Sequence, residues 1–343
     1  MLTDLQAALR PLLTAGYQDL VKEWTGEHLA DLPEIAAAYQ HYTEGDAHLN
    51  RPLLTLVGYG HRRDRFGPQL LDEVGPLVFV PQLVRDFLAI HDDIVDGDTV
   101  KFDRPTLPAA LGAGAALFTA DLLPGIVSDL VDRSQCPAKV KCRLHRLVGQ
   151  ILRRTQQGQL AELALARCAP ATIPADVLVR VYADKAAAYC YVLPFELGIT
   201  AADSTAGPQV RRALEDIGTA SQIVDDLLGN LPTGEGGKQT PGEVLQLRRT
   251  VLLTQLAVRL DPGDPLAAVL AGNSATPEQA AAIRDAFTVT GAAAATATTA
   301  VQLARAAEAQ LATLALAAPA TAYLRDLVQA RVHDTLAHWT TPE

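Results

Sequence analysis

Asp92-Asp93-Ile94-Val95-Asp96, and after it Asp225-Asp226-Leu227-Leu228-Gly229, decide how this chain is read. The first run is led in by Phe87, Leu88, Ile90 and His91, the second by Gln222, Ile223 and Val224. Both emerge from apolar, helix-like stretches where a carboxylate has no ordinary place. On a helix, Asp92 and Asp96 fall one turn apart on one face, with Asp93 beside them. Like charges at that spacing repel, and a cation relieves the cost. Carboxylate oxygens suit Mg²⁺, which takes one or two of them and fills its shell with water and phosphate oxygens. Two such clusters make a multi-Mg²⁺ clamp for a diphosphate. The plainer alternative, a pair of solvated helix ends, does not account for the apolar residues that precede both.

The remainder of the chain reads as helix. Apolar residues recur at three- and four-residue spacing over 2–15, 53–58, 75–93, 109–132, 139–167, 174–197, 210–228, 250–260, 276–289 and 293–316. Alanine and leucine dominate, and β-branched alternation is nearly absent. Thr276-Pro277-Glu278 signals a helix start, with Thr as N-cap. Pro and Gly mark loops at 103–108, 261–264 and, most conspicuously, 230–242, a segment placed to fold over a ligand at the second cluster. No linker or repeat divides the 343 residues, so the expectation is one all-α domain over 1–343.

Composition excludes several classes. A net charge of −10 argues against nucleic acid as a partner. With 49% hydrophobic residues and a mean hydropathy of +0.11, no apolar run reaches eighteen residues without a charge, so no transmembrane segment is expected. The start of the chain lacks the pattern of a signal peptide. Cys136, Cys142, Cys168 and Cys190 show no metal or disulfide spacing, as in a reduced, cytoplasmic protein. A carboxylate-bridged di-iron bundle would need Glu-x-x-His pairs, which neither Glu27-His28 nor His91-Asp92 supplies.

With the two Asp clusters placed, residues 45–255 resemble the trans-isoprenyl diphosphate synthases, the polyprenyl synthetase family. Smaller matches support the resemblance: Asn50-Arg51-Pro52-Leu53, Gly158-Gln159 with Glu162, Lys185 with Tyr189 and Pro194, and Gly237-Lys238 followed by Leu247-Arg248-Arg249-Thr250. The resemblance implies an isoprenoid-synthase-type helical bundle around a central active-site cavity. It implies an allylic isoprenyl diphosphate held through three Mg²⁺ ions, ionised, and joined to isopentenyl diphosphate in a dry cavity. Carried over residue by residue, Asp92, Asp93, Asp96, Asp225 and Asp226 become metal ligands. Lys185 and Lys238 contact the allylic diphosphate, Arg248 assists, and Gln222 lines the same site. The family also implies a homodimer; an inactive partner subunit would typically have lost one Asp cluster, and both are present.

The pattern departs from the family where isopentenyl diphosphate should bind. His48 stands where the family has lysine, and only Arg51 of that basic motif remains. After the first cluster, Lys101 keeps one expected charge, but Phe102 replaces an arginine, and a phenyl ring cannot supply a guanidinium fork. Arg85, two helical turns before Asp92, partly compensates, with Arg104 nearby. Two readings stay open: the site is rebuilt around Arg85 and elongation is retained, or ionisation serves a cyclase (terpene synthase) or another acceptor. Gly229 in place of a last Asp, and Thr233 four residues on, do not give the metal pattern of a standard terpene synthase. Phe87 and Leu88 lie about 6–7.5 Å below the metal face at the rise of a helix. In the family such bulk forms the floor of the hydrocarbon pocket, so the expected product is short, about ten to twenty carbons with about fifteen favoured.

Overall fold

The structure is a computed structural model that describes residues 2–45, 49–63, 65–101, 103–231, 242–261, 263–272 and 274–340. It is all-α: among the described residues the one sheet is a two-stranded antiparallel pair, Val100–Lys101 with Arg104–Pro105. The chain groups into two compact units, each drawn from three segments. Met1–Leu152, Tyr189–Ala206 and Leu316–Tyr323 form the first; Arg153–Ala188, Gly207–Ala315 and Leu324–Glu343 form the second.

In the first unit the helix Leu2–His28 runs past its expected end at residue 15 because Tyr17, Leu20, Val21 and Trp24 extend its buried stripe. Trp24 packs edge-on against Tyr39 of the helix Pro33–Thr43, ring centroids 4.8 Å apart. The helix Val80–Asp96 buries Leu83, Val84, Phe87 and Ile90, at the spacing of one helical face. A short 3₁₀ turn, Gly75–Phe79, precedes it where the periodicity predicts the helix itself to begin. The helices Asn50–Arg63 and Leu193–Ala201 cross almost backbone to backbone. A Cβ on Gly58 would sit 2.2 Å from the Phe195 carbonyl oxygen, and one on Gly198 2.1 Å from that of Thr55.

In the second unit the helix Ala292–Thr313 presents Ala293, Ala297, Ala300, Ala304, Ala307 and Leu311 as a buried stripe to the helix Pro208–Asn230. Alanine at the contact lets the two axes approach closely. The helix Pro277–Val289 begins as the sequence predicts, with a capping box between Thr276 and Gln279.

The stretch predicted as one helix over 174–197 is instead Ala175–Tyr182, a π-helix Ala183–Val192, and Leu193–Ala201. Pro194 has no N–H to continue the ladder, and wide turns precede it. The shorter helices Pro265–Leu270, Ala318–Val328 and Asp334–Thr340 carry too few periodic residues to stand out in the sequence. By length and composition Gln69–Asp96 and Ala113–Arg133 are apolar enough to cross a membrane, but 78% of the first window is buried in the protein's own interior. All four cysteines are free thiols, with Cys142 and Cys168 exposed.

Gly198→Ala should lower unfolding stability by about 3 kcal/mol, because the backbone at Thr55 cannot yield as a side chain would. Urea denaturation measures it, and a loss below about 1 kcal/mol would mean that the crossing is looser than described.

Candidate functional site

The helix that carries the first cluster ends directly after it. Gly97 takes the left-handed conformation (φ 67°) and its N–H bonds to the Asp93 carbonyl, a C-terminal stop that glycine makes cheaply. Asp93 and Asp96 thus occupy the final turn, at the negative end of the helix dipole, with Asp92 directly before it, and no basic residue shares that turn. The chain then folds into the small hairpin, with Asp103 at φ 58°, and so brings Lys101 back onto the cluster. Lys101 Nζ lies 2.6 Å from Asp93 Oδ1. Asp93 is 1% exposed, and its other oxygen, Oδ2, is buried and accepts no hydrogen bond. Burial pushes the Asp93 carboxyl above its ordinary range, against the opposing pull of Lys101 and Arg85.

Arg85 and Arg51 occupy the same unit. Arg51, at the start of its helix, donates to Cys190 Sγ (3.1 Å) and lies over the Tyr189 ring, 5.5 Å from its centroid. The glycine crossing at 58 and 198 is what sets these two segments together. Burial pushes the Tyr189 hydroxyl up, and both Arg51 and Arg85 act on it in the opposite sense. Arg85 is 5% exposed and donates to Asp86 Oδ1 at 3.0 Å. Asp86 is fully buried and also accepts from the hydroxyls of Tyr17 and Tyr39. The charge of Arg85 is therefore matched within the core. Phe87 is buried and packs edge-on against His91 at 4.5 Å, and His91 Nε2 reaches Asp121 at 3.2 Å; Leu88 is half-buried. Arg104 pairs with Glu44 at 2.7 Å, on the surface.

In the second unit the acids lie one turn before the end of the helix Pro208–Asn230, again with no basic residue within four positions. Asp226 is buried and oriented from two sides. Gln222 donates to its Oδ1 (2.9 Å) and the Tyr182 hydroxyl to its Oδ2, while the same hydroxyl accepts the Val251 N–H at 3.2 Å. Burial, then Asp226, drives the Tyr182 hydroxyl well above its ordinary value, so it stays a donor. Asp225 is half-exposed and pairs with Arg331 Nη2 at 3.0 Å. Lys185, on the π-helix one turn after Tyr182, pairs with Glu162. Gly158 makes that possible, since a Cβ there would lie 2.6 Å from the Lys185 backbone nitrogen. Arg154 bonds both Asp184 and Glu215 and fixes the start of the same π-helix. Arg248 Nε donates to Gln246 at 2.9 Å, next to Leu247 at φ 47°.

His48, Phe102 and Lys238, and the loop from Pro232 to Pro241, lie outside the described residues. Tyr182, Asp86 and Arg331 are absent from the sequence reading. Tyr182 lies three residues before Lys185, a spacing that could have marked it. Nothing in the sequence links Arg331 to an acid 106 residues away.

The donors present suit Mg²⁺. They are hard oxygens, one of them buried and unbonded, and those of Asp93 and Asp96 lie in the last turn of a helix, where positive charge is favoured. Among the described residues no three His, Cys, Asp or Glu side chains converge on one point.

Tyr182→Phe should cost about 1–3 kcal/mol, because it leaves the Val251 N–H and an Asp226 oxygen buried without their partner. Thermal denaturation reads this, and an unchanged midpoint would show that the hydroxyl does not hold Asp226.

The polyprenyl synthetase family model matches residues 32–286. A short chain isoprenyl diphosphate synthase of Methanocaldococcus jannaschii is 24% identical over 216 residues, 62% of each chain. The geranylgeranyl diphosphate synthase of Mycobacterium tuberculosis is 28% identical over 209 residues, 57% of this chain and 55% of that one. The chain thus spans less than two thirds of the length of these two relatives. Among solved structures, geranylgeranyl pyrophosphate synthase from Corynebacterium glutamicum, complexed with isoprenyl diphosphate and magnesium, superposes with a TM-score of 0.81 at 22% identity, over 95% of this chain and 98% of that one. A polyprenyl synthase from Caulobacter crescentus, complexed with calcium and isoprenyl diphosphate, gives 0.78 at 20% identity, over 96% and 97%. At these identities the structures establish a shared all-α fold.

Proposed function

The chain belongs to the polyprenyl synthetase family, and from that premise we propose that it is a Mg²⁺-dependent short-chain isoprenyl diphosphate synthase, a prenyltransferase built as one isoprenoid-synthase-type domain over 1–343. The observation that carries the reading is the pair of acid clusters, each near the C-terminal end of its helix with no lysine or arginine within four residues of its acids. Such an arrangement is costly in a protein without cationic cargo.

Asp92, Asp93, Asp96 and Asp225 are the carboxylates that hold the ions, and Asp226, with both oxygens already hydrogen-bonded, orients its neighbour as much as it ligates. Mg²⁺, when bound, supplies Lewis-acid neutralisation of the diphosphate leaving group. Lys101 pairs with Asp93 in the first unit and Lys185 with Glu162 in the second, and in this reading each ammonium group serves a diphosphate. Lys238 and Arg248 add to them. As the allylic C–O bond ionises, the growing negative charge meets these fixed cations, and the apolar side chains around Phe87 keep water from the carbocation. Phe87 and Leu88 close the hydrocarbon end. The product is about fifteen carbons, within a range of about ten to twenty.

A second reading has an observation of its own. Arg85, the cation expected to rebuild the isopentenyl diphosphate site, is matched by Asp86 within the core. That favours a cyclase or a different acceptor on the same fold. The deciding experiment incubates purified protein with Mg²⁺ and allylic diphosphates of ten, fifteen and twenty carbons, with and without isopentenyl diphosphate. Longer diphosphates formed only in its presence establish elongation. Hydrocarbon or alcohol released without it establishes the second reading, and no product with any substrate defeats both. Chelation by EDTA should abolish turnover, with Mg²⁺ restoring it.

Phe87→Ala should lengthen the product by at least one five-carbon unit, at a stability cost of about 3 kcal/mol. An unchanged length distribution in a folded variant removes Phe87 from the floor.

The homodimer is part of the proposal. Gly114, Phe118, Leu122 and Gly125 form one stripe along the helix Ala113–Arg133; Phe118 is 72% exposed, and a Cβ on either glycine would meet nothing. Small residues flank large ones, a self-complementary order for a second copy about a twofold axis. Light scattering should give a dimer for the native chain and a monomer for Phe118→Glu; a dimer in both cases would place the interface elsewhere.

A further inference from the structure

Arg331 reaches the second cluster from an unusual piece of backbone. It lies in a π-helical turn, Gln329–His333, between the helices Ala318–Val328 and Asp334–Thr340. Such wide turns are rare and often mark functional positions. This one is anchored. Val328 and Val332 are fully buried, His333 Nε2 lies 3.1 Å from Glu308, and the Gln329 amide donates to Asp334 at 2.6 Å. Arg331 is thus held out from a fixed turn, with Nη2 3.0 Å from Asp225 Oδ1. The side chains are 40% and 35% exposed, so the pair is partly solvated and worth only about 0.2–1 kcal/mol.

We propose that Arg331 is a displaceable counter-cation for the second metal cluster. It occupies Asp225 before Mg²⁺ arrives, yields the carboxylate to the ion, and turns its guanidinium to the diphosphate that comes with it. The inference rests on the reading of Asp225 as a metal ligand. Within one turn on either side of Asp225 its own helix supplies no positive charge, so a cation must come from elsewhere in the chain. A guanidinium on Oδ1 competes for the lone pairs that Mg²⁺ needs and repels a dication. A partly solvated pair of this strength is weak enough to give way. A planar fork of donors is then well shaped for phosphate oxygens. Arg331 is in these terms a positioning residue for the metal and a binding residue for the diphosphate.

The test is isothermal titration of the full chain with Mg²⁺ alone, and then with inorganic diphosphate at saturating Mg²⁺. The native chain is compared with Arg331→Gln, Arg331→Lys and Asp225→Asn. Arg331→Gln should tighten Mg²⁺ binding about three- to fivefold and weaken diphosphate binding about tenfold. Arg331→Lys should keep near-native Mg²⁺ affinity and lose part of the diphosphate affinity. The opposite signs separate this role from a structural one, which would lower the melting temperature and leave Mg²⁺ affinity unmoved. If Asp225→Asn weakens Mg²⁺ binding while Arg331→Gln leaves it at the native value, the counter-cation role is overturned and the metal site stands. If Asp225→Asn binds Mg²⁺ as the native chain does, Asp225 is no ligand and both fall.

Discussion

Negative charge concentrated at the C-terminal ends of two helices is the constraint on which the rest depends. Carboxylates one turn apart or adjacent repel by a few tenths of a kcal/mol, and for Asp93 and Asp96, in the last turn of their helix, the dipole adds about 0.3–1 kcal/mol. Neither helix places a lysine or arginine within four residues of its acids. Positive charge comes instead from distant segments: Lys101, folded back by a hairpin onto Asp93, and Arg331, held by a π-turn beside Asp225. At the first cluster the pair meets a buried carboxylate, and at the second it is partly solvated.

The scaffold meets a second requirement, close placement of side chains that belong to separate segments. Glycine does this where backbones must nearly touch. Gly58 and Gly198 bring Arg51 to Tyr189 and Cys190, and Gly158 brings Glu162 to Lys185. The π-helix Ala183–Val192, which Arg154 fixes at its start, carries Lys185 to Glu162 while Pro194 restarts the regular ladder. Tyr182 then joins three elements through one hydroxyl, donating to Asp226 and accepting from Val251.

The helical class and the acid clusters were legible in the sequence because each has a short-range signature: periodicity of three and four, and like charges one turn apart in apolar surroundings. Gly158 and Glu162 were legible as motif residues, but their reason, a backbone approach to Lys185, is visible only in three dimensions. Arg85 shows the limit of reading charge from sequence. Its position suggested a cation for a second diphosphate, and the structure adds that Asp86, its immediate neighbour, matches it within a buried tyrosine network. Asp86 carried no signal because a single buried acid is indistinguishable in sequence from an exposed one. Arg331 was illegible for a different reason: its partner lies far off in the chain, and a π-turn shifts the helical register on which periodicity arguments rest.

The central claim, that both clusters are built for a cation and are strained without it, is tested most directly by thermal melting of Asp96→Asn and Asp225→Asn against the native chain, each with and without Mg²⁺. The account predicts that Asp96→Asn, which removes charge without breaking the Lys101 pair, melts higher than the native protein in the absence of Mg²⁺. It also predicts that the native chain rises with Mg²⁺ and that both variants rise less. An Asp96→Asn variant that melts lower than the native chain in the absence of Mg²⁺, together with no Mg²⁺-dependent rise in the native protein, would contradict it.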